Sequence, residues 1–515
     1  MKAKRRQKAA PAERVSVRVE PTTNLGSQLW EAANALRGPV DPADFKNYIF
    51  PLLFFKRISD TWTAERRAVE AKYPERPARW SDSISFRFQL PEGCHWSDLR
   101  KATENVGVHL QRMLDRIEEA NPEILAGIFG DVAWGNKERL PEVALLKVID
   151  IFNGIPLGPD SVGNDVLGGA YEYLLKQFAD ASGKKAGEFF TPRGVVRLLT
   201  RILDPQPGES IYDPACGSGG MLVESVNEVR EAGGDTRTLR IYGQEVNLTS
   251  SAISRMNLFL HDIEDFKVMT GDTLRSPKFT EPGGNLSQFN VVMANPPFSL
   301  KSWGVESWAD DPWHRAFCGV PPAAYADYAF IQHMVSSMRV EDGRVGVVMP
   351  HGVLFRGGVE KEIRRCLLQS DRLEAVIGLP KALFYNTSIP ACILVFRANK
   401  DTRRRGGVVF VDGSGEFVKD RAQNRLEEAN GEAVLQAYRE AARGDKQIAR
   451  VPRAFVELSE IAGNDWDLNI GRYLKLAVGN EIGALEAISQ LFEAQARYHK
   501  AEADLLANLK EAGYA

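Results

Sequence analysis

The chain has 515 residues, a formal net charge of −3 and 44% hydrophobic residues. This length predicts two to four domains of roughly 100–200 residues each. The near-neutral charge argues against a chain that binds nucleic acid over its whole surface, because DNA affinity rests on Lys and Arg that face phosphates. Positive charge must lie on one face of the chain, or another subunit must supply it.

Cysteine spacing and hydropathy predict a cytoplasmic protein. The five cysteines form no CxxC pair, which argues against a zinc site and a disulfide framework and favours a reducing compartment. No apolar run is long enough to cross a membrane, and residues 1–8 lack the apolar region of a secretion signal. We predict a disordered basic tail over residues 1–24, with phosphate contact as an alternative role.

The next segment, residues 25–165, is predicted to be a helical domain. Residues 45–58 (FKNYIFPLLFFKRI) are dense in aromatics and interrupted by Pro51. Aromatics can stack on bases, but in an apolar run they are more often core, and we predict core here. Residues 142–152 (EVALLKVIDIF) predict a second core helix, and residues 165–179 and 194–203 predict two more, the last one started by Pro192.

Residues 205–400 alternate strands and helices, which is typical of a doubly wound α/β sheet. The first strand, residues 210–213, ends at Asp213 and runs into a glycine turn, residues 214–220 (PACGSGG), before a helix. The glycines let a backbone approach a ligand closely. The turn has neither the phosphate-loop Gly-Lys-Ser/Thr nor the GxGxxG spacing. Asp213 suits a cationic or amino group.

Two further strand ends carry carboxylates. Residues 239–243 form a strand that leads to Glu245, and an acidic residue at this place typically accepts from ribose hydroxyls. Residues 268–274 (VMTGDTL) place Asp272 where it can accept from an adenine amine. A ligand with an amino acid part, a ribose and an adenine fits all three turns, and S-adenosylmethionine is such a ligand.

A fourth turn, Asn295-Pro296-Pro297-Phe298, follows the apolar run 289–294 (FNVVMA). The prolines make it stiff. The Asn295 side-chain oxygen and the Pro296 carbonyl can accept both hydrogens of an exocyclic amine, while Phe298 stacks on the ring. The alternative is a proline-rich turn that only caps a strand.

In this order, DPACGSGGM, YGQEVN, GDTL and NPPF resemble the modification subunits of type I restriction–modification systems, which are N6-adenine DNA methyltransferases. The resemblance extends to residues 36–60, 188–193 (EFFTPR), 343–358 and 383–396, and covers roughly residues 25–475. It implies a doubly wound S-adenosylmethionine-dependent methyltransferase sheet over residues 166–475. An all-helical domain precedes the sheet, and a helical extension, residues 476–515, follows it.

The resemblance also implies roles for single residues, without a metal. Catalysis and contact with the target amine fall to Asn295, Pro296, Pro297 and Phe298. The cofactor-binding residues are Phe190, Thr191, Asp213, Ala215, Gly217, Gly219, Glu245 and Asp272. Phe298 and Tyr385 stack on a flipped-out adenine, although the sequence does not choose between Phe384 and Tyr385. The long loop 301–326, which contains Trp303, Trp308, Trp313 and Tyr325, is predicted to border the substrate cleft.

The end of the chain predicts partners. Residues 408–418 read as a strand pair, 419–443 as helical and 481–510 as a helix with an apolar stripe. That stripe packs on its own domain or on a partner helix. The resemblance favours a partner and implies double-stranded DNA, a specificity subunit that reads the target, a second modification subunit and a restriction subunit.

Two other functions remain open at this point. NPPF also occurs in enzymes that methylate RNA or a protein glutamine, and a non-catalytic assembly subunit would keep the fold. The N-terminal helical region and the last helix favour the type I subunit over the first alternative. The presence of Asn295, Glu245 and Asp272 argues against the second.

Overall fold

A computed structural model of the chain describes residues 21–76, 86–181, 191–384, 389–420, 423–447 and 450–474, together with part of a helical segment at 491–510. Its helices are α1 (Pro21–Asn34), α2 (Phe45–Lys72), α3 (Trp96–Leu99), α4 (Val106–Ala120), α5 (Pro122–Leu125), α6 (Glu142–Asn153), α7 (Asn164–Ala181), α8 (Arg193–Leu203), α9 (Gly220–Glu231), α10 (Leu248–Leu260), α11 (Asp327–Ser336), α12 (Gly352–Phe355), α13 (Val359–Gln369), α14 (Glu428–Glu440), α15 (Leu458–Gly463) and α16 (Ile470–Tyr473). Its strands are β1 (Ser210–Asp213), β2 (Arg240–Glu245), β3 (Phe266–Thr270), β4 (Val291–Ala294), β5 (Arg344–Pro350), β6 (Leu373–Gly378), β7 (Ala391–Arg397), β8 (Gly407–Asp412), β9 (Lys446–Gln447) and β10 (Arg453–Glu457).

The N-terminal helices bury the aromatic run of α2. Phe45, Phe50, Phe54 and Phe55 are at most 1% exposed, so the predicted core role of this run is confirmed. The predicted interruption at Pro51 is wrong, because α2 continues through it. A helix-interior proline costs about 3 kcal/mol, which burial of neighbouring apolar side chains at about 1.5–3 kcal/mol each offsets.

The first helix begins at Pro21, inside the range 1–24 that we predicted as tail. Residues 1–20 lie outside the described residues.

A ten-stranded sheet follows, in the order β3-β2-β1-β4-β5-β7-β6-β8-β10-β9. Strands β3, β2, β1, β4 and β5 are parallel, and β7 lies antiparallel between β5 and β6. β1 and β4 are buried along their whole length, as expected for parallel strands covered on both faces. The predicted doubly wound sheet is confirmed.

Helices cover both faces of this sheet. α8, α9 and α14 bury their apolar faces on one side, and α11, α13 and α16 on the other. α10 joins the sheet to the N-terminal helices, because its Ile253, Met256 and Phe259 belong to the core of those helices. Arg255 on α10 also donates to the Ala126 and Ile124 carbonyls at 2.5 and 2.6 Å. The helical region therefore packs directly against the sheet's own helix layer.

The predicted strand pair at 408–418 is wrong. Only β8 lies there, and its antiparallel partner is β10, where Arg453 pairs with Val411. Gly413 and Ser414 turn the chain away, since the Ser414 N–H donates to the Asp412 carboxylate at 3.0 Å. The predicted helix over 419–443 is confined to α14, and Val418 pairs with Arg425 as an isolated bridge before it.

The cysteine prediction also needs correction. Cys318 and Cys366 form a disulfide that joins the loop 301–326 to α13. The two residues are 48 positions apart, so their pairing depends on the fold and leaves no trace in local spacing. Among the residues that the structure describes, no helix is both long and apolar enough to cross a membrane.

Candidate active site

The sheet reverses its winding between β1 and β4. The chain runs from β1 outward to β2 and β3, and later returns to place β4 on the other side of β1. In such sheets a crevice opens at the carboxyl ends of the two central strands, and ligands bind there. Ile211 pairs with Val291 and Tyr212 with Val292, so Asp213 and Asn295 follow adjacent strand ends.

A cavity of about 720 Å³ opens at this edge, between α7, the glycine turn and α9, and extends along α9 to its last residue, Glu231. Its volume lies in the usual range of about 300–1,000 Å³ for small-molecule sites. Five of the predicted site residues line it: Thr191, Asp213, Ala215, Gly217 and Asn295.

In the part of the chain that the structure describes, the side-chain amide of Asn295 is hydrogen-bonded through its nitrogen but not through its oxygen. Its Nδ2 donates to Thr191 Oγ1 at 2.9 Å. Its Oδ1 is buried and has no hydrogen-bond partner among the described residues. An unpaired buried acceptor costs about 1–3 kcal/mol, so this oxygen is a ready site for a ligand N–H.

Polar contacts that follow the NPPF turn along the chain hold the turn in place. Pro296 is buried and Pro297 is exposed. Just after the turn, the Ser299 N–H donates to the Asp327 carboxylate at 2.8 Å, and Arg356 pairs with the same carboxylate at 2.9 Å. These bonds hold the end of the turn against α11.

Two aromatic rings meet at the end of the NPPF turn. The ring centroids of Phe298 and Phe384 are 5.8 Å apart at an interplanar angle of 66°, an edge-to-face contact. Phe298 is half-buried and Phe384 is buried. Tyr385, the predicted stacking residue, lies outside the described residues.

The glycine turn adopts the conformation that its residues allow. Gly217 and Gly219 have φ of 52° and 78°, in the left-handed region that favours glycine, and Gly219 is the N-cap of α9. Asp213 lies under the turn and accepts from the Ala215 N–H at 3.0 Å. Burial, and secondarily the charge of Glu245, raises the pKa of Asp213 to about 8.

The other two predicted carboxylates lie along the same sheet edge but do not line the cavity. Glu245 accepts from the Gly217 and Asn247 N–H groups at 2.9 and 2.8 Å, and burial raises its pKa. Asp272 accepts from the N–H groups of Leu274 and Arg275 at 2.9 and 3.1 Å. Phe190 lies outside the described residues.

Sequence reasoning missed Asn257 on α10. This residue is 1% exposed, lines the cavity and donates from Nδ2 to the Ser218 carbonyl at 2.9 Å. Its Oδ1, like that of Asn295, has no partner in the described part of the chain. The signal in the sequence is a polar stripe, Ser254, Asn257 and the C-cap residue His261, at helical spacing along α10.

The loop 301–326 does not line the cavity at the β1–β4 edge, and its predicted place beside the substrate stays a prediction. Trp303 and Trp308 are at most 1% exposed and belong to the core on the α11 side of the sheet. Trp313 is half-buried against the Arg315 guanidinium, and Tyr325 stacks on Arg356 at 4.3 Å. The loop packs inward because its large aromatics are worth more buried than exposed.

A crevice at the switch point, with a glycine turn after β1 and an acceptor-bearing turn after β4, is the arrangement of doubly wound α/β proteins, in which ligands bind at this edge. The family model for N-6 DNA methylase matches residues 162–481, and the model for the HsdM N-terminal domain matches residues 25–152. The chain therefore belongs to the N-6 DNA methylase family, among the methylase subunits of type I restriction–modification systems, and it is an adenine-specific DNA methyltransferase.

Individual relatives agree with this assignment. The chain is 34% identical over 445 residues to the type I restriction enzyme HindI methylase subunit of Haemophilus influenzae, covering 83% of this chain and 95% of the relative. It is 31% identical over 472 residues to the MjaVII methylase subunit of Methanocaldococcus jannaschii, covering 88% and 78%. The solved type I methyltransferase subunit of Streptococcus thermophilus superposes with a TM-score of 0.76 at 29% identity, covering 88% of this chain and 99% of that one. The resemblance read from the motifs is confirmed.

Proposed function

We propose that this chain binds S-adenosylmethionine at the β1–β4 edge and methylates N6 of an adenine flipped out of double-stranded DNA, with Asn295 holding the target amine. The observation that carries the proposal is that, among the described residues, only the nitrogen of the Asn295 side-chain amide has a hydrogen-bond partner. Its Nδ2 is held by Thr191 at 2.9 Å, while its buried Oδ1 has no partner in the described part of the chain. An amide in this state presents an acceptor and not a donor, which suits an N–H₂ group.

The cavity fits the cofactor. Its lining includes five carboxyl side chains, Asp165, Glu172, Asp213, Glu224 and Glu231, against three cationic ones, Lys176, Arg193 and Arg230. Asp213 holds its proton at neutral pH, so the negative charge that suits a sulfonium and an ammonium group comes from the other carboxyl groups of the lining. The unpaired Asn257 Oδ1 offers a further acceptor. When bound, S-adenosylmethionine supplies the activated methyl group.

The chain's own residues prepare the amine. Adenine N6 is a weak nucleophile because its lone pair is delocalised into the ring. Asn295 Oδ1 and the Pro296 carbonyl accept both N–H groups and draw that lone pair out of the ring plane. An amide is not a base at neutral pH, so the proton leaves to solvent. Catalysis then comes from orientation and from preorganised dipoles.

The base must leave the duplex, because N6 is inaccessible inside it. Phe298 supplies one stacking face. Phe384 contacts Phe298 edge to face and supports its ring from the side. Tyr385 is our candidate for the second stacking face.

The proposal extends to the rest of the system. Glu245 and Asp272 take the ribose and the adenine of the cofactor, as neighbouring strand ends of the same sheet edge. A separate specificity subunit reads the target, and a second copy of this chain and a restriction subunit complete a cytoplasmic complex. Methylation of RNA or of a protein glutamine, and a purely structural role, are disfavoured by the family match over both regions of the chain.

The test is Asn295→Ala in a complex reconstituted with the specificity subunit. Methyl transfer to DNA should fall by about 10²–10³-fold, the loss that follows removal of one preorganised hydrogen-bonding group from an active site. Cofactor affinity, measured by calorimetry, should stay unchanged. Wild-type turnover by this variant would remove the NPPF turn from the active site.

A further inference from the structure

The loop 301–326 holds a buried cation whose position is unusual for a loop. Arg315 is 1% exposed and pairs with Asp311, whose side chain is 3% exposed. The contacts are Nη2 to Oδ1 at 2.7 Å and Nε to Oδ2 at 3.0 Å. A bidentate pair of this kind fixes the plane of the guanidinium. Its remaining N–H groups therefore point in a fixed direction.

These N–H groups point at the turn after β3, on the side of the proposed cofactor site. Arg315 Nη1 donates to the Thr273 carbonyl at 3.0 Å and Nη2 to the Leu274 carbonyl at 2.7 Å. The Trp308 indole N–H donates to the same Leu274 carbonyl at 3.2 Å. These are the two residues that follow Asp272. Since the Leu274 N–H is held by Asp272 Oδ1 at 2.9 Å, Leu274 is bonded to the loop by its carbonyl and to Asp272 by its N–H.

The Arg315 guanidinium also contacts a buried histidine. Arg315 Nη1 lies 3.4 Å from His333 Nδ1, and His333 Nε2 lies 3.2 Å from the Tyr212 hydroxyl. Burial, together with the charge of Arg315, lowers the pKa of His333, so its ring is neutral. Nδ1 accepts from Arg315, and the Nε2–H donates to Tyr212. Arg315 is thereby connected to β1, one residue before Asp213.

Stability alone does not explain this arrangement. A buried ion pair loses about as much in desolvation as it gains in attraction, so an apolar pair would serve a packing role equally well. The donors directed at the Thr273 and Leu274 carbonyls are what an apolar pair would lack. They fix the backbone on which Asp272 sits.

We infer that the loop 301–326 is a brace, and that Arg315 and Trp308 are positioning residues that hold Asp272 ready to accept from the adenine amine of the cofactor. This inference rests on the proposed cofactor site. The loop begins directly after the NPPF turn, so it also ties the backbone that holds the target amine to the backbone that holds the cofactor.

The test compares Trp308→Phe with Trp303→Phe. Both tryptophans are buried in one cluster, and each donates its indole N–H to a backbone carbonyl at 3.2 Å. Trp303 donates to Pro322, within the loop itself, so it is a matched control. The ligands are S-adenosylhomocysteine and its 6-deamino analogue, in which hydrogen replaces the adenine amine. Calorimetry on the full chain gives the affinity ratio of the two.

Trp308→Phe should lower the preference for the amine-bearing ligand by about threefold to tenfold, the range expected for one hydrogen bond. Trp303→Phe should leave the preference at the wild-type value. Arg315→Lys keeps the charge opposite Asp311 but loses the planar fork that bonds Asp311 and both carbonyls in fixed directions, so its preference should fall by about tenfold or more. If Trp308 and Arg315 only stabilised the fold, replacing them would weaken the binding of both ligands equally.

Asp272→Ala removes the acceptor itself and therefore tests the cofactor assignment separately from the brace. If Asp272→Ala abolishes the preference while Trp308→Phe and Arg315→Lys keep it, the brace is refuted and the cofactor site stands. If Trp308→Phe and Trp303→Phe reduce the preference equally, the brace is refuted as well. If Asp272→Ala itself keeps the wild-type preference, the cofactor assignment fails and the inference fails with it.

Discussion

Asn295 and Thr191 act together in the proposed chemistry. The hydroxyl of Thr191 accepts from Asn295 Nδ2 at 2.9 Å, and this bond is what leaves Oδ1 turned to the target amine. Without it the amide can rotate and present a donor to the adenine N–H₂ group, which would repel it. A side chain that touches no reacting atom thus controls one that does.

Thr191→Val should therefore lower kcat at saturating cofactor. The loss expected for one net hydrogen bond is about 0.5–1.5 kcal/mol, or roughly twofold to twelvefold in rate. Thr191→Ser keeps the hydroxyl and should restore the rate. Steady-state methyl transfer by the reconstituted complex measures both variants. Equal rates for the Val and Ser variants would contradict the role of the hydroxyl.

Asp213 gives a prediction about pH. Its pKa is raised from 3.8 to about 8 by burial, so the folded chain keeps a proton that the unfolded chain releases. The stabilising effect of that proton is complete below pH 3.8 and is lost as the pH rises to about 8. Over this window the free energy of unfolding should fall by about 1.4 kcal/mol per pH unit relative to an Asp213→Asn variant.

Chemical denaturation of both proteins between about pH 5 and pH 9 measures this difference. Asp235→Asn is the control, because Asp235 is an exposed carboxylate whose pKa is lowered by the Arg237 side chain. Its curve should run parallel to that of the wild type across the whole window. Parallel curves for Asp213→Asn as well would contradict a raised pKa at Asp213.

At the scale of elements, the terminal helical segment carries large apolar side chains that are exposed in the described part of the chain. Leu491, Phe492, Tyr498 and Leu505 are 57%, 64%, 65% and 59% exposed. Exposed apolar surface of this kind marks interaction sites. We predict that the specificity subunit covers it.

Replacing Leu491, Phe492 and Leu505 by Ser should abolish co-purification with the specificity subunit while cofactor binding stays intact. Each buried side chain is worth about 1.5–3 kcal/mol before the cost of association. Replacing the exposed Glu493 and Glu502 of the same segment by Ser is the matched control and should preserve assembly. Undiminished co-purification of the apolar triple variant would show that this helix is not the interface.

Sequence patterns within single helices and strands were enough to predict the parallel part of the fold. β1 and α6 were predicted almost to the residue, because continuous apolar runs and helical spacing are local signals. The pairing of β8 with β10, the helix through Pro51 and the Cys318–Cys366 disulfide were missed, because each depends on residues far apart in the chain.

The features of the site also divide into those that local sequence patterns mark and those that depend on distant residues. Asp213, Glu245, Asp272 and Asn295 could be predicted as site residues because strand ends and turns mark them in the sequence. The Thr191–Asn295 bond and the contacts of Arg315 join segments that are 104 and 41–42 positions apart. No local pattern predicts which partners such side chains choose.

At the scale of the molecule, a net charge of −3 gives the chain little general attraction for DNA. The isolated chain should bind DNA weakly and without regard to sequence. Its affinity should drop steeply between about 50 and 200 mM salt. Fluorescence anisotropy with two unrelated duplexes tests this. Tight binding of one duplex over the other by the chain alone would contradict a division of labour with a specificity subunit.

Sequencing of methylated bases in host DNA tests the central claim most directly. Cells that carry this chain with its specificity subunit should show N6-methyladenine at one defined sequence. The mark should disappear with Asn295→Ala, and also when the specificity subunit is removed. Persistence of the mark with Asn295→Ala, or its appearance on this chain alone, would contradict the proposed site or the proposed separation of catalysis from target reading.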